Sequence, residues 1–360
     1  MGFLRPWSAC SGLLAVVLAT GDARAEAACA REDAGLASLA EHLSTLSLRG
    51  EALPSPESAA DQLRGEGAVF PSLRWIVLTA TAATSVSSFR HRAEARAKSA
   101  ARDVRAPRRA CGLAFAENER GDKVAVAVVA PEHALLDPIP PLSRLGTWVT
   151  VRARFLAFTP SARLVVLGPR GLPRNVPSSL VGNELIARFS ADHEGVFSAQ
   201  IVGETGDGPL PLAELTTRVG AATDLPASVP GESVLADAPD ATVSAMLQAA
   251  RLTEGQRALE RHPALDRLAR IHAEALAHRG HLAHDAGDGD PADRVTAAGL
   301  RAGEVGENVA HAGTIEECHR ALWRSPSHRA NLLSGRFREL GVGVVRAKDG
   351  SVFVVQLFRD

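Results

Sequence analysis

The sequence predicts a multidomain α+β protein, and three observations lead there. At 360 residues the chain exceeds a usual single domain of ~100 to 200 residues. A block of short runs with period-two alternation, residues 143–221, lies between two regions of helical periodicity. Pro138-Ile-Pro-Pro-Leu142 and the Pro, Ala, Ser and Asp-rich stretch from Asp224 to Asp240 punctuate the chain on either side of that block. Hydrophobic residues make up 46% of the chain, enough for each module to bury a core.

Arg5 precedes the apolar stretch Leu13-Leu-Ala-Val-Val-Leu18, and Ala23-Arg-Ala25 places small residues where a signal peptidase reads them. Residues 1–25 therefore read as a secretory signal peptide, too short in its apolar run to span a membrane, where ~20 residues are needed. No transmembrane segment is expected once it is removed. Export implies an oxidising compartment, and of the cysteines then left, Cys29 and Cys111 are the reasonable disulfide pair. Cys318, in the stripe Ile315, Cys318, Leu322, reads as a core residue.

Residues 26–140 read as an α+β region. Leu36, Leu39, Leu43 and Leu46 mark a first helix, Leu53-Pro-Ser-Pro-Glu57 a loop, Trp75-Ile-Val-Leu78 a strand, Ser88 to Arg105 a second helix and Val124 to Val129 a buried strand. The formal net charge is -1, with 40 Lys plus Arg, so there is no basic excess of the kind that binds nucleic acid. Lysine occurs only at 98, 123 and 348 and tyrosine not at all, a composition suited to a GC-rich bacterial genome.

In residues 143–221, Val149, Val151, Ala153 and Phe155 alternate with Thr150, Arg152 and Arg154, the mark of a half-buried strand. Further runs at Arg163–Leu167, Glu184–Phe189, Val196–Val202 and Glu214–Val219, separated by Gly, Pro and Asn turns, predict a small β-sandwich. Residues 222–240 then read as a linker.

Residues 241–360 carry the chemistry. Leu265, Leu268, Ile271, Ala275 and Leu276 predict an amphipathic helix ended by Gly280, with His284 just beyond it. Asp288 to Arg294 predicts a turn and a short helix. Gly306-Glu307-Asn308 reads as a loop whose carboxylate is free to meet an imidazole, orienting its tautomer, holding a metal or forming an acid/base pair with it. Helix Thr314–Arg324 is followed by Ser325-Pro326, an N-cap with proline at the first helical position, and by a helix carrying His328. Leu340–Val345 and Ser351–Phe358, joined at Lys348-Asp-Gly350, predict a closing hairpin. Eight of the 12 histidines fall here. His278 and His281, three apart, have a possible zinc-ligand spacing; Asp285, Asp288 and Asp290 lack the Gly and Glu that complete a calcium loop.

Gly280-His-Leu-Ala-His284, Gly306-Glu-Asn308, Trp323-Arg-Ser-Pro-Ser-His328-Arg329 and Val355-Gln-Leu-Phe358, in this order, resemble the bacterial branch of the CAP superfamily, the cysteine-rich secretory protein, antigen 5 and pathogenesis-related-1 (SCP) domain. The resemblance covers roughly residues 240–360. It implies a C-terminal α-β-α sandwich with a cleft whose floor holds a four-residue His/Glu cluster. His284 and Glu307 supply half of that cluster, and Asn308 and His328 join them as cleft residues. Two positions depart from the eukaryotic pattern: the second Glu corresponds to Pro326 and the second His to Phe353. The full divalent-metal tetrad therefore does not carry over, and zinc on His284 and His328 is the metal reading beside one that requires no cofactor. The resemblance implies a secreted or periplasmic binding module for a small ligand, lipid, glycan, peptide or other cell-envelope component. One alternative is a hydrolase of peptide or cell-wall substrates with His284 and Glu307 as acid/base pair, His328 being the third catalytic candidate; the other is a structural or adhesion protein.

Overall fold

A computed structural model describes residues 31–206, 208–220, 228–301 and 303–360; the expected signal peptide and Cys29 lie outside these. The chain divides into two compact units. One holds the residues up to Pro54 together with Arg74–Ala130, and the other Ser55–Leu73 together with Pro131–Asp360.

In the first unit β1 (Arg31–Glu32) leads into α1 (Ala34–Leu48), whose N-cap Asp33 accepts from Leu36 N–H. After α2 (Pro56–Gly65), which belongs to the second unit, come β2 (Arg74–Ala80), α3 (Val86–Arg102), β3 (Arg108–Glu117) and β4 (Lys123–Glu132). The sheet order is β1-β3-β4-β2. Leu36, Leu39 and Leu43 bury one face of α1, and α1 lies so close to β3 that a β-carbon on Gly112 would stand 2.2 Å from the Ala37 nitrogen. On α3 the buried stripe is Phe89, Ala93, Ala97 and Ala101. Cys111 on β3 is disulfide-bonded.

The segment around Leu53–Glu57, expected as a loop, starts α2. Ser55 caps it and Pro56 occupies its first position, a start signal hidden by the second proline at 54. Arg64 of α2 is buried against Glu214 at 3.5 Å.

Two sheets form the middle of the second unit. β5 (Ala134–Leu136), β7 (Trp148–Phe155), β10 (Ser178–Val181) and β11 (Glu184–Ser190) pair in the order β10-β11-β7-β5; β6 (Leu142–Ser143), β8 (Ala162–Leu167), β9 (Arg174–Val176), β12 (Gly195–Thr205) and β13 (Gly208–Val219) pair as β6-β13-β12-β8-β9. Their shared core takes alternate residues from both: Val149, Val151 and Phe155, Leu185 and Phe189, Leu164 and Val166, Phe197 and Ile201. Phe189 and Phe197 stack with centroids 5.9 Å apart. β12 departs from the alternation, because Ser198, Gln200 and Val202 on its other face are buried as well.

The C-terminal region opens with α4 (Pro239–Thr253), β14 (Glu260–Arg261), α5 (Pro263–Arg279) and α6 (Pro291–Ala297). β15 (Val305–Ala312), α7 (Ile315–Arg324), α8 (Pro326–Leu332), β16 (Glu339–Arg346) and β17 (Val352–Arg359) complete it. The sheet order is β14-β16-β17-β15, with β15 and β16 both antiparallel to β17. One face packs Val309, Phe353, Val355 and Leu357 against α5 and α6. The other packs Ala310, Val342, Val354 and Phe358 against α4, α7 and α8. Helices thus cover both sides of the sheet.

The buried stripe of α5 is Leu265, Ala269, His272, Ala273 and Leu276, whereas Ile271, expected in it, is 56% exposed. Close packing selects this smaller face: a β-carbon on Gly341 or Gly343 of β16 would stand 2.3 Å from the α5 backbone at Leu265 or Ala269. Only small helix residues over glycines allow that approach. The described part of the 222–240 stretch is also packed. Val229 enters the C-terminal core, and the Pro230 carbonyl accepts from His319 Nε2 at 2.8 Å.

Candidate functional site

Gly280, at φ 71°, ends α5 in the left-handed conformation and turns the chain back toward the sheet. His284 follows at the edge of β15. Gly306, Glu307 and Asn308, expected in a loop, lie within β15, where Glu307 pairs with Leu357 and Asn308 with Gln356. The strand's alternation separates the two: Glu307 faces α5 and α6, and Asn308 faces α8.

Glu307 and His284 are 5% and 7% exposed. His284 Nδ1 lies 2.8 Å from Glu307 Oε1; a carboxylate only accepts, so Nδ1 carries the hydrogen, and in the neutral ring Nε2 is the acceptor. Glu307 Oε2 meets the Arg294 guanidinium of α6 in a buried ion pair. Arg294 Nη1 also reaches the carbonyls of His284 at 3.0 Å and Gly289 at 3.1 Å, and Asp288 Oδ1 at 3.3 Å. One guanidinium therefore ties the His284 loop, the Asp288 turn and β15 together.

Behind the pair, His272 is fully buried on α5. Its Nε2 donates to the Ala283 carbonyl at 3.0 Å and lies 3.7 Å from Glu307 Oε1. Its Nδ1 is 2.9 Å from Asp288 Oδ2 and 2.8 Å from Arg294 Nη1. Partial burial works to raise the Asp288 carboxyl, but the His272 hydrogen bond and the Arg294 charge hold it below the usual carboxylate range.

On the other face, Asn308 Nδ2 donates to the His328 carbonyl and to Gln356 Oε1, both at 3.2 Å, while its Oδ1 accepts from Asn331 Nδ2 at 2.9 Å. Asn308 thus fastens α8, and with it His328, to the sheet. Burial pushes the His328 imidazole down to about 3, and the neighbouring His284 acts in the same direction. His328 is therefore neutral at pH 7.

Ser325, expected to cap α8, makes no capping bond. Gln200 of β12 does this instead: its Oε1 accepts the Ser327 N–H at 3.1 Å, and its Nε2 donates to Ser325 Oγ at 3.1 Å and to Glu214 Oε2 at 3.0 Å. The first turn of α8 is satisfied by a side chain 127 residues away in the chain.

The donors do not fit a four-ligand metal site. Both Glu307 oxygens are taken, Pro326 and Phe353 stand where the resemblance would require the other two ligands, and Phe353 stacks on His311 at 4.1 Å within the α5 side of the core. Among the described residues no three His, Cys, Asp or Glu side chains gather as a metal site would need. His278 is exposed on α5 and His281 Nδ1 faces the Arg279 carbonyl. Asp285 accepts from Gly287 and Gly289 N–H, and Asp290 caps α6, so these carboxylates serve the loop itself. Cys318 is a free, buried thiol; burial raises its pKa far above the usual thiol range.

The sequence did not single out His272, Arg294, Asn331 or Gln200. For His272 a signal existed, since it falls in phase with Leu265, Ala269 and Leu276. Gln200 had none, because its partner lies in another module.

Residues 245–358 match the model of a family described as CAP, the cysteine-rich secretory protein family. No curated protein matches the chain. Among solved structures, an outer surface protein from Borrelia burgdorferi is 18% identical with a TM-score of 0.33, over 35% of this chain and 96% of that one. An extracellular protein containing a SCP domain from Bacillus anthracis is 17% identical, TM-score 0.31, over 69% of this chain and 80% of that one. A cysteine-rich secretory protein from Staphylococcus aureus is 12% identical, TM-score 0.29, over 63% and 86%. Among the described residues no helix is long and apolar enough to cross a membrane.

Proposed function

We propose that this chain, whose residues 245–358 form a CAP domain, is an exported protein that binds a lipid, glycan or peptide ligand of the cell envelope in the cleft of His284, Glu307, Asn308 and His328. One observation carries the reading: both oxygens of Glu307 are committed, Oε1 to His284 and Oε2 to Arg294, away from solvent. A carboxylate so held fixes an imidazole tautomer and does not exchange protons with a substrate. What it leaves to a ligand is the Nε2 acceptor of His284 beside the neutral ring of His328. Such a pair suits hydroxyl or amide N–H donors on a small polar head, and it uses no metal.

The hydrolase reading finds less support. The Ser325 hydroxyl is engaged by Gln200, and Cys318 is buried among core residues of the α7 side. Export after cleavage at Ala25, and a β-sandwich over residues 143–221 serving as a second module, belong to the same proposal. Native mass spectrometry of the full chain with lipid extracts, muropeptides and short peptides tests it. Retention that His284→Ala and His328→Ala abolish is the expected result. Turnover of muropeptides that disappears in Glu307→Gln would establish the hydrolase instead, and retention of none of these would leave the structural role.

A further inference from the structure

His284 is buried, and the two-sheet module of the same chain lies against its side chain. A β-carbon built on Gly208, the first residue of β13, would stand 2.8 Å from His284 Cβ and 3.7 Å from its Cδ2. Gly208 has φ +91°, so both its conformation and the space require glycine. The module's backbone therefore lies directly on the histidine. Next to it, β12 and β8 pack on α8, the helix that carries His328.

We infer that the two-sheet module is an intramolecular cover on the CAP cleft, and that a ligand reaches His284 and His328 only when this module separates from α8. The inference takes the cleft as the ligand site from the reading above, but the cover itself is read from the interface alone. The composition of the seam supports separation. Polar bonds cross it: Gln200 to Ser325 and Ser327, and Asp61 of α2 to Arg324 of α7. Behind them, Glu214 is shared by Gln200 and Arg64, and Arg64 returns to Asp61. Groups of this kind regain water when parted, so opening such a seam costs less than exposing an equal area of apolar core. The core of the two sheets and the core of the CAP sheet are separate clusters, and each stays intact when the seam opens.

Histidine carbethoxylation with diethyl pyrocarbonate at pH 7, read peptide by peptide in the full-length protein, tests this without any ligand. His278, exposed on α5, is the reference for free reactivity, and His272, fully buried within the CAP domain, reports on its unfolding. In the wild type, His284 and His328 should react at least ~10-fold more slowly than His278. In Gln200→Ala/Arg324→Ala their rates should rise toward that of His278 while His272 stays protected. Wild-type protein in urea below its unfolding transition gives the same reading without substitution: His284 should become reactive at a lower concentration than His272. A wild-type His284 as reactive as His278, or a His284 that gains reactivity only together with His272 in urea, would overturn the cover. Failure of the binding experiments alone would not touch it.

Discussion

Arg294 and Glu307 form an ion pair inside the CAP domain, and His284 takes the second Glu307 oxygen. Removing the cation leaves a buried carboxylate that only imidazoles face. Arg294→Met should therefore cost about 3 to 5 kcal/mol in urea denaturation of the full chain. Glu307→Gln, which keeps an acceptor for His284 and leaves Arg294 its Asp288 partner, should cost less, about 1 to 3 kcal/mol. Equal losses would mean that the pair is not the link between α6 and β15.

His328 makes stability depend on pH with a definite sign. Its pKa in the folded chain is about 3 against ~6.5 unfolded, so on acidification the unfolded chain takes up the proton first. The contribution is complete above pH ~6.5 and is lost as the pH falls toward 3, by about 1.4 kcal/mol per unit. His328→Asn should accordingly flatten the decline of urea stability between pH 6.5 and 4.5 by roughly 2 to 3 kcal/mol. Parallel wild-type and variant profiles would place His328 in water.

At Gly343 a β-carbon would stand 2.3 Å from the α5 backbone. Gly343→Ala must push α5 off the sheet, and a loss of about 3 kcal/mol or more is expected. Gly255 has open space around it and φ +71°, so Gly255→Ala should cost only about 1 kcal/mol. Thermal denaturation of the two variants side by side separates packing from backbone conformation.

Asn308→Ala removes both bonds by which this residue holds the His328 and Gln356 partners, and leaves the Asn331 amide only the Glu307 carbonyl of its two acceptors. A loss of about 2 to 3 kcal/mol is expected. Amide hydrogen exchange should show α8 losing protection before α5, whose anchoring to β16 does not involve Asn308; equal loss in both helices would contradict a local role.

The sequence by itself determined what depends on local chemistry. Alternation at 149–155 and 184–189, the Gly280 helix stop, the helix of 314–324 and the closing hairpin are dictated by side-chain period and turn residues within a few positions. Ordered motifs brought His284, Glu307, Asn308 and His328 to attention, because their spacing along the chain is retained in the elements that carry them. What needed the tertiary structure was everything that depends on a distant partner. Whether Glu307 lies in a loop or a strand turned on its pairing with Leu357 of β17, fifty residues on. Which face of α5 is buried turned on glycines 341 and 343, so His272 went inside and Ile271 stayed out. Ser325 yielded its capping task to Gln200, and Gly208 came to rest on His284. Hydrophobic period says which residues leave water, but charge pairing, close backbone approach and the covering of one module by another arise only when separate segments share a surface.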